Sequence, residues 1–227
     1  TVILPNLSRH IKSNNSVKII ELQNKALELS LFLSLPASFA LMVGSEQITS
    51  ALFGYGSFDQ LTVSNSAKAL FYFSFGLPAF SLIKIFSTFL FARNDTKTPF
   101  KYSLISVILN IIISLTFFSQ IGFIIIPIAT TISSWFNGLI LLVFVINKNY
   151  FKFSSSFIKQ ITKIIFSNII AIFIFYILIN ILGTYLDYEN NYKFIFIILI
   201  VLLTFVSYIG FSIIIKAFKI SDINLKY

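Results

Sequence analysis

The chain has 227 residues, 57% hydrophobic and 11% charged, with a mean hydropathy of +0.90. Soluble domains hold roughly 45–50% apolar and about 25% charged residues, so this composition excludes a disordered chain, a small disulfide-bonded scaffold and most soluble enzymes. The net charge of +9 comes from 17 Lys and Arg against 8 Asp and Glu. These cations lie in short clusters between long apolar stretches, which indicates a multi-span membrane protein and not a nucleic-acid binder. There is no Cys, and His10 is the only histidine, so disulfides and thiolate or histidine-rich metal sites have no residues to build on.

In chain order, Thr1-Val2-Ile3-Leu4-Pro5 reads as the end of an apolar helix. With no initial Met and no signal peptide, the expectation is the C-terminal part of a larger membrane protein. The first span is Leu29 to Ser45, bounded by Glu28 and Glu46. Gln47 to Phe58 is amphipathic and ends in glycines, which predicts a short helix at the outer interface. Its Gly54-Tyr55-Gly56 follows no strand and is not a nucleotide loop. The second span is Ala69 to Ala92, interrupted by one charge, Lys84. Tyr102 to Asn147 is charge-free over 46 residues, too long for one helix across a core of about 30 Å. It divides at Ser119-Gln120-Ile121-Gly122 into two spans. Ile164 to Leu186 and Phe194 to Ile215 complete six predicted transmembrane helices. Segments such as Phe194 to Ile200 are apolar on both faces, which favours helices over the alternating strands of a barrel.

The cations set the orientation. Arg9, Lys12, Lys18, Lys25, Arg93, Lys97, Lys101, Lys148, Lys152, Lys159, Lys163, Lys216, Lys219 and Lys226 fall on one side, fourteen of the 17. Lys68 and Lys193 fall on the other. The basic side is therefore expected to be cytoplasmic, with the C-terminus there. Tyr185, Tyr188 and Tyr192 stand where an outer aromatic belt is expected.

Lys84 lies nine residues before Arg93, which places it roughly 13 Å into the span. A cation at that depth costs about 2.5–3.5 kcal/mol on insertion scales. Either it faces a polar cavity and attracts an anionic substrate, or it pairs with an acidic residue on another helix. Glu28, one turn beyond Lys25, reads as an interfacial carboxylate. Pro36, Pro78 and Pro127 fall within spans, where each removes a helical hydrogen bond, and they are candidate hinges. Asn110, Thr130, Thr131, Ser133, Ser134 and Asn137 place polar groups in the two central spans. They serve either as helix–helix contacts or as an ion-contacting surface. No catalytic constellation is present: paired carboxylates, HExxH, P-loop and GxSxG motifs are all missing, and neither an enzyme nor a cofactor is expected.

Several segments together resemble one family. Leu4-Pro5-Asn6-Leu7-Ser8 before a basic loop, Ala26-Leu27-Glu28-Leu29 running to Leu35-Pro36-Ala37, and Leu52-Phe53-Gly54-Tyr55-Gly56-Ser57-Phe58 are similar to segments of the MurJ/MviN lipid II flippases. So is Lys84 followed by Ala92-Arg93-Asn94-Asp95-Thr96-Lys97-Thr98-Pro99, which resembles that family's cytoplasmic KTP turn. The matching pattern runs to about residue 145. The resemblance implies an all-α polytopic membrane protein, here the C-terminal fragment of a fourteen-helix, two-lobe transporter of the multidrug/oligosaccharidyl-lipid/polysaccharide exporter superfamily. Residues 1–150 would hold the end of helix eight and helices nine to twelve of the second lobe. Residues 151–227 would hold the last two helices, a groove for the lipid tail, and a cytoplasmic tail.

The function so implied is movement of a lipid-linked peptidoglycan precursor from the cytoplasmic to the outer leaflet of the bacterial inner membrane by alternating access. The implied partners are that undecaprenyl pyrophosphate-linked precursor, membrane lipids and a monovalent cation, with no nucleic acid. Lys84, Arg93 and Asn110 become candidate substrate contacts. Asn110 and Thr130 become candidate ion contacts, with Ser114 where a carboxylate would help. The alternatives are an exporter of another lipid-linked polysaccharide or a drug, and a non-transporting membrane scaffold.

Overall fold

The structure, a computed structural model, describes residues 3–217. Lys219 and Lys226, counted above with the basic side, lie outside the described residues, as do Thr1 and Val2. Within them the regular structure is helical throughout: α1 (Ile3–Lys12), α2 (Ser16–Val43), α3 (Ser45–Phe53), α4 (Gln60–Ser74), α5 (Leu77–Phe91), α6 (Lys97–Ile121), α7 (Ile125–Asn147), α8 (Ser155–Ile181) and α9 (Lys193–Ile214), with single 3-10 turns at Gly122–Ile124 and Gly183–Tyr185.

Five stretches are long and apolar enough to cross a membrane: Ser16–Val43, Gln60–Phe91, Lys97–Asn147, Ser155–Ile181 and Lys193–Ile214. The third holds 51 residues and folds back on itself at Gly122 into two helices, where the charge-free run was expected to divide. Gly122 has φ 71° and ψ −153°, a region that only glycine occupies without strain. Its N–H still donates to the Phe118 carbonyl and closes α6. Two cross-helix pairs, Asn110 with Thr130 and Asn137 with Ser103, share one midpoint near the turn and make α6 and α7 an antiparallel hairpin.

The span expected over Ala69 to Ala92 is two helices. α4 starts earlier, at Gln60, and the chain breaks at Phe75-Gly76 before α5 begins. Pro78 sits in the first turn of α5, where its missing N–H would have had no helical partner. Pro127 likewise occupies the first turn of α7, and Pro36 lies inside α2. Freed carbonyls at the break take side-chain donors: Ser74 Oγ donates to Phe71 O at 2.6 Å, Ser38 Oγ to Ser74 O at 2.6 Å and Trp135 Nε1 to Phe75 O at 2.9 Å.

Packing divides the chain into two compact units, each made of two separate stretches. The first comprises Thr1–Ser34 and Phe75–Ile158. In it, α5 packs on α7 through small residues, with Ala79 and Ala129 fully buried and Gly138 set against Ala79 and Ile83. Leu7 of α1 is also fully buried, and α1 packs on α5. The second unit comprises Leu35–Ser74 and Lys159–Tyr227. Its core joins Ala51 of α3 to Phe175 and Ile179 of α8, Leu186, and Ile197 and Ile200 of α9.

Local signals mark the helix ends. Asn15, Asp59, Asp95 and Ser154 each accept a backbone N–H three residues ahead and cap α2, α4, α6 and α8. Asp59 also takes the Thr62 hydroxyl as well as its N–H, and these bonds hold its carboxyl below the usual aspartate range. On the basic side, Asn14, Asn94, Asn149 and Lys216 adopt left-handed φ values of 51°, 61°, 56° and 57°. In each case the next N–H reaches back five residues: Asn15 to His10, Asp95 to Leu90, Tyr150 to Val145 and Ala217 to Ser212. This is the Schellman closure, with asparagine three times in glycine's usual place.

Gly122→Ala forces a side chain into the glycine-only region and should cost about 1–3 kcal/mol, read as a lower melting temperature in detergent. Gly210→Ala, where an added Cβ meets nothing within 4 Å, should hold or raise that temperature. Equal melting of the two variants would show that the α6–α7 turn does not depend on this conformation.

Candidate functional site

Three of the residues singled out from sequence lie in the first unit at separate places: Lys84, Arg93 and Asn110. α5 turns Phe86, Phe89 and Leu90 inward, and these bury completely or nearly so. Its opposite stripe carries Phe80, Lys84 and Phe91, all exposed. Lys84 stands at the middle of α5, seven residues from either end. Its carbonyl accepts the Thr88 hydroxyl at 2.8 Å. Among the described residues its ammonium has no hydrogen bond and no ion pair. Among the described residues, α5 therefore presents a cation from its middle without a counter-charge.

Arg93 follows α5 and is held by its neighbours. Its guanidinium donates to Phe89 O at 2.9 Å and to Tyr150 O at 3.0 Å, and it lies 4.6 Å from the Tyr150 ring centroid. Burial pulls this guanidinium below the usual arginine range. The surrounding Ala92-to-Pro99 segment is thus a helix-to-helix corner whose residues have distinct tasks. Asn94 supplies the left-handed residue, Asp95 caps α6, and Pro99 fits its first turn. The Tyr150 carbonyl also accepts Gln23 Nε2 at 3.0 Å. Next to it, Asn24 donates to Lys152 O at 2.9 Å and accepts the Ser154 N–H at 3.1 Å. Three side chains thereby fix the extended segment between α7 and α8. Glu28 pairs with Lys25 at 3.4 Å on the same helix.

Asn110 and Thr130 meet across the α6–α7 hairpin. Asn110 Nδ2 donates to Thr130 Oγ1 at 3.0 Å and to Ser133 Oγ at 3.4 Å. Thr130 passes its own proton to Ile126 O, and Ser134 donates to Thr130 O at 2.6 Å. These groups line a cavity of about 340 Å³ together with Phe80, Ile83, Ser103, Ser106 and Asn137. The buried Oδ1 of Asn137 has no partner there. Its polar lining consists of hydroxyls and carboxamides, with no carboxylate. No group of three or more His, Asp or Glu converges among the described residues. Lys84 and Arg93 do not line this cavity. A second cavity of about 350 Å³, in the second unit, takes in Glu46, Ser50, Gln60, Asn180 and Asp187.

Sequence reading passed over several residues that the structure makes central. Gln23, Asn24 and Trp135 belong to no motif, and Lys193 falls only with Lys68 on the cation-poor side, yet it is only 1% exposed. The available signal was its position, directly before the apolar run of α9 and next to Tyr188 and Tyr192. Of the expected aromatic belt, Tyr192 is exposed, Tyr185 stacks on Phe196 at 4.5 Å, and Tyr188 donates to Phe58 O at 2.9 Å.

Apolar helices that satisfy their own backbone, with polar pairs confined between them, define a multi-pass helical membrane protein. The family model described as lipid II flippase MurJ matches residues 1–203, and the chain belongs to that family. A protein of Rickettsia prowazekii described as "Probable lipid II flippase MurJ" is 39% identical over 137 residues, covering 60% of this chain and 27% of that protein. A protein of the same description from Rhizobium meliloti is 40% identical over 141 residues, covering 62% of this chain and 26% of its own length. A solved structure titled "Lipid II flippase MurJ, inward closed conformation" superposes with a TM-score of 0.74 at 27% identity, covering 95% of this chain and 42% of that one. The chain thus spans about a quarter of the length of these curated relatives.

Arg93→Ala removes two charge-assisted bonds, each worth about 1.5–3 kcal/mol, from the corner and from the 150–154 segment. Limited trypsinolysis at Lys148 and Lys152 should accelerate at least about five-fold, through local opening. An unchanged cleavage rate would show that Gln23 and Asn24 hold the segment without it.

Proposed function

We propose that the protein to which this chain belongs moves lipid II, the lipid-linked peptidoglycan precursor, from the cytoplasmic to the outer leaflet of the bacterial inner membrane, as a transporter and not an enzyme. Membership of the MurJ family supports this reading, and one observation ties it to this chain: Lys84 presents an unpaired ammonium from the middle of α5. Such a group attracts a pyrophosphate strongly where water is scarce, because a weakly screened charge acts over a longer distance. In this reading Lys84 draws the anionic part of the precursor. Arg93 keeps the cytoplasmic corner in register and contributes charge beside the entrance.

Residues 1–150 act as part of the second lobe, while residues 151–227 carry the undecaprenyl chain among membrane lipids. This is a division by role, whereas the two compact units are a division by packing. The cluster of cations on one side supports a cytoplasmic location for that side and for the C-terminus. The hydroxyls and carboxamides around Asn110 and Thr130 suit a monovalent cation with weak, neutral oxygen ligands. Pro36, Pro78 and Pro127 are the positions at which helices bend or restart as the lobes alternate.

The test uses the full-length protein in a strain depleted of its own lipid II flippase, with a lipid II-cleaving toxin added from outside. The intact protein should restore cleavage. Lys84→Ala should lower it at least about ten-fold at matched membrane expression, which corresponds to about 1.4 kcal/mol of interaction with the translocating precursor. Lys84→Arg should retain most of it. Full cleavage with Lys84→Ala would remove this residue from the mechanism, and none with the intact protein would shift the cargo to another lipid-linked glycan.

A further inference from the structure

Lys193 opens α9 and is 1% exposed, among the most deeply buried side chains of the second unit. Its Nζ donates to Gly54 O at 2.7 Å and to Tyr188 O. The rings of Tyr55 and Tyr188 each lie 4.5 Å from it. No carboxylate pairs with it among the described residues. A buried ammonium is costly unless its protons and charge are met, and here two carbonyl dipoles and two aromatic faces meet them.

Those groups come from two distant stretches of chain. Gly54 and Tyr55 belong to the turn between α3 and α4, and Tyr188 to the loop between α8 and α9. Further contacts join the same two stretches. The Tyr188 hydroxyl donates to Phe58 O at 2.9 Å, and Ala51 of α3 packs into the core with Leu186, Ile197 and Ile200. Gly54 permits the approach: a Cβ there would stand 2.6 Å from Ser50 O and 3.1 Å from the Tyr188 ring. The resulting joint has a charged centre, a hydroxyl strap and an apolar floor.

We propose that Lys193 is a positioning residue that latches the α3–α4 turn to the α8–α9 loop, so that α3, α4 and the last helix pair move as one body through the transport cycle. The mechanical part of this inference stands on the geometry alone, and its link to transport rests on the lipid II reading above. Separation of the two stretches would strip the ammonium of its partners on the α3–α4 turn and part the two aromatic faces that flank it. The latch therefore opens as a unit or stays closed.

Two experiments on the full-length protein, with any cysteine outside this chain replaced by serine, test it. In the first, Ala51→Cys reports on the joint through its reaction with a membrane-impermeant maleimide. Reaction should be slow with Lys193 present, at least about ten-fold faster with Lys193→Met, and slow again with Lys193→Arg, as expected for local opening controlled by one contact set. Equal rates for the parent and Lys193→Met would overturn the latch. This readout needs no substrate, so it decides the geometry even if the cargo is not lipid II.

In the second, Phe58→Cys and Tyr188→Cys are bridged by a reducible bifunctional reagent about as long as a tyrosine side chain. Lipid II movement should continue with the bridge in place. A bridge that stops movement, with recovery on reduction, would overturn the single-body inference while leaving the flippase reading intact. If the intact protein moved no lipid II at all, the flippase reading would fail, and the maleimide rates would still decide the latch.

Discussion

A bilayer core offers no water to a peptide group, and that constraint governs every departure from helix in this chain. Where helices stop, something must receive the carbonyls and N–H groups that the next turn would have used. The break at Phe75-Gly76 places hydroxyls and an indole on the freed carbonyls. The basic-side ends close with a left-handed residue and a bond reaching back five positions. The α6–α7 reversal uses one glycine and loses almost no hydrogen bonding. Seen this way, Ser38, Ser74, Asn14, Asn94 and Asn149 stand where backbone would otherwise be left bare.

The same constraint explains how charge is handled. Arg93 is half-buried and Lys193 fully buried, and both spend donors on main-chain carbonyls with an aromatic ring alongside. Neither needs a carboxylate, so neither joint depends on the ionisation of an acid. Lys84 is treated differently. It projects from the exposed stripe of α5, and no group among the described residues pairs with its ammonium.

Much of this fold can be read from the sequence because hydropathy and length leave little choice. A charge-free run of 46 residues cannot cross once, and Gly122 is the place where it can turn. The Ala92-to-Pro99 corner was legible through its resemblance to the family's KTP turn, and the left-handed Asn94 and the Asp95 cap give that turn its physical form. The break inside Ala69 to Ala92 was missed because an apolar run hides its interruption. The sign was Gly76-Leu77-Pro78, which reads as a helix start as easily as a kink. The pairing of Asn110 with Thr130 could be guessed from their place in neighbouring spans. The roles of Gln23, Asn24 and Lys193 could not, because each depends on a partner more than a hundred residues away.

That separation bears on how the chain assembles. The α6–α7 hairpin joins residues about twenty to thirty-five apart and can close as soon as both helices have entered the bilayer. Gln23 waits for Tyr150, 127 positions later, and Gly54 waits for Lys193, 139 positions later. The first unit thus remains open until residues 150–154 are synthesised, and the second until α9 begins. A ribosome that stalled before α9 would leave the second unit without the Lys193 contacts and without the Ile197 and Ile200 part of its core. Quality control that recognises unfastened membrane helices would meet such a chain at the Gly54–Phe58 turn.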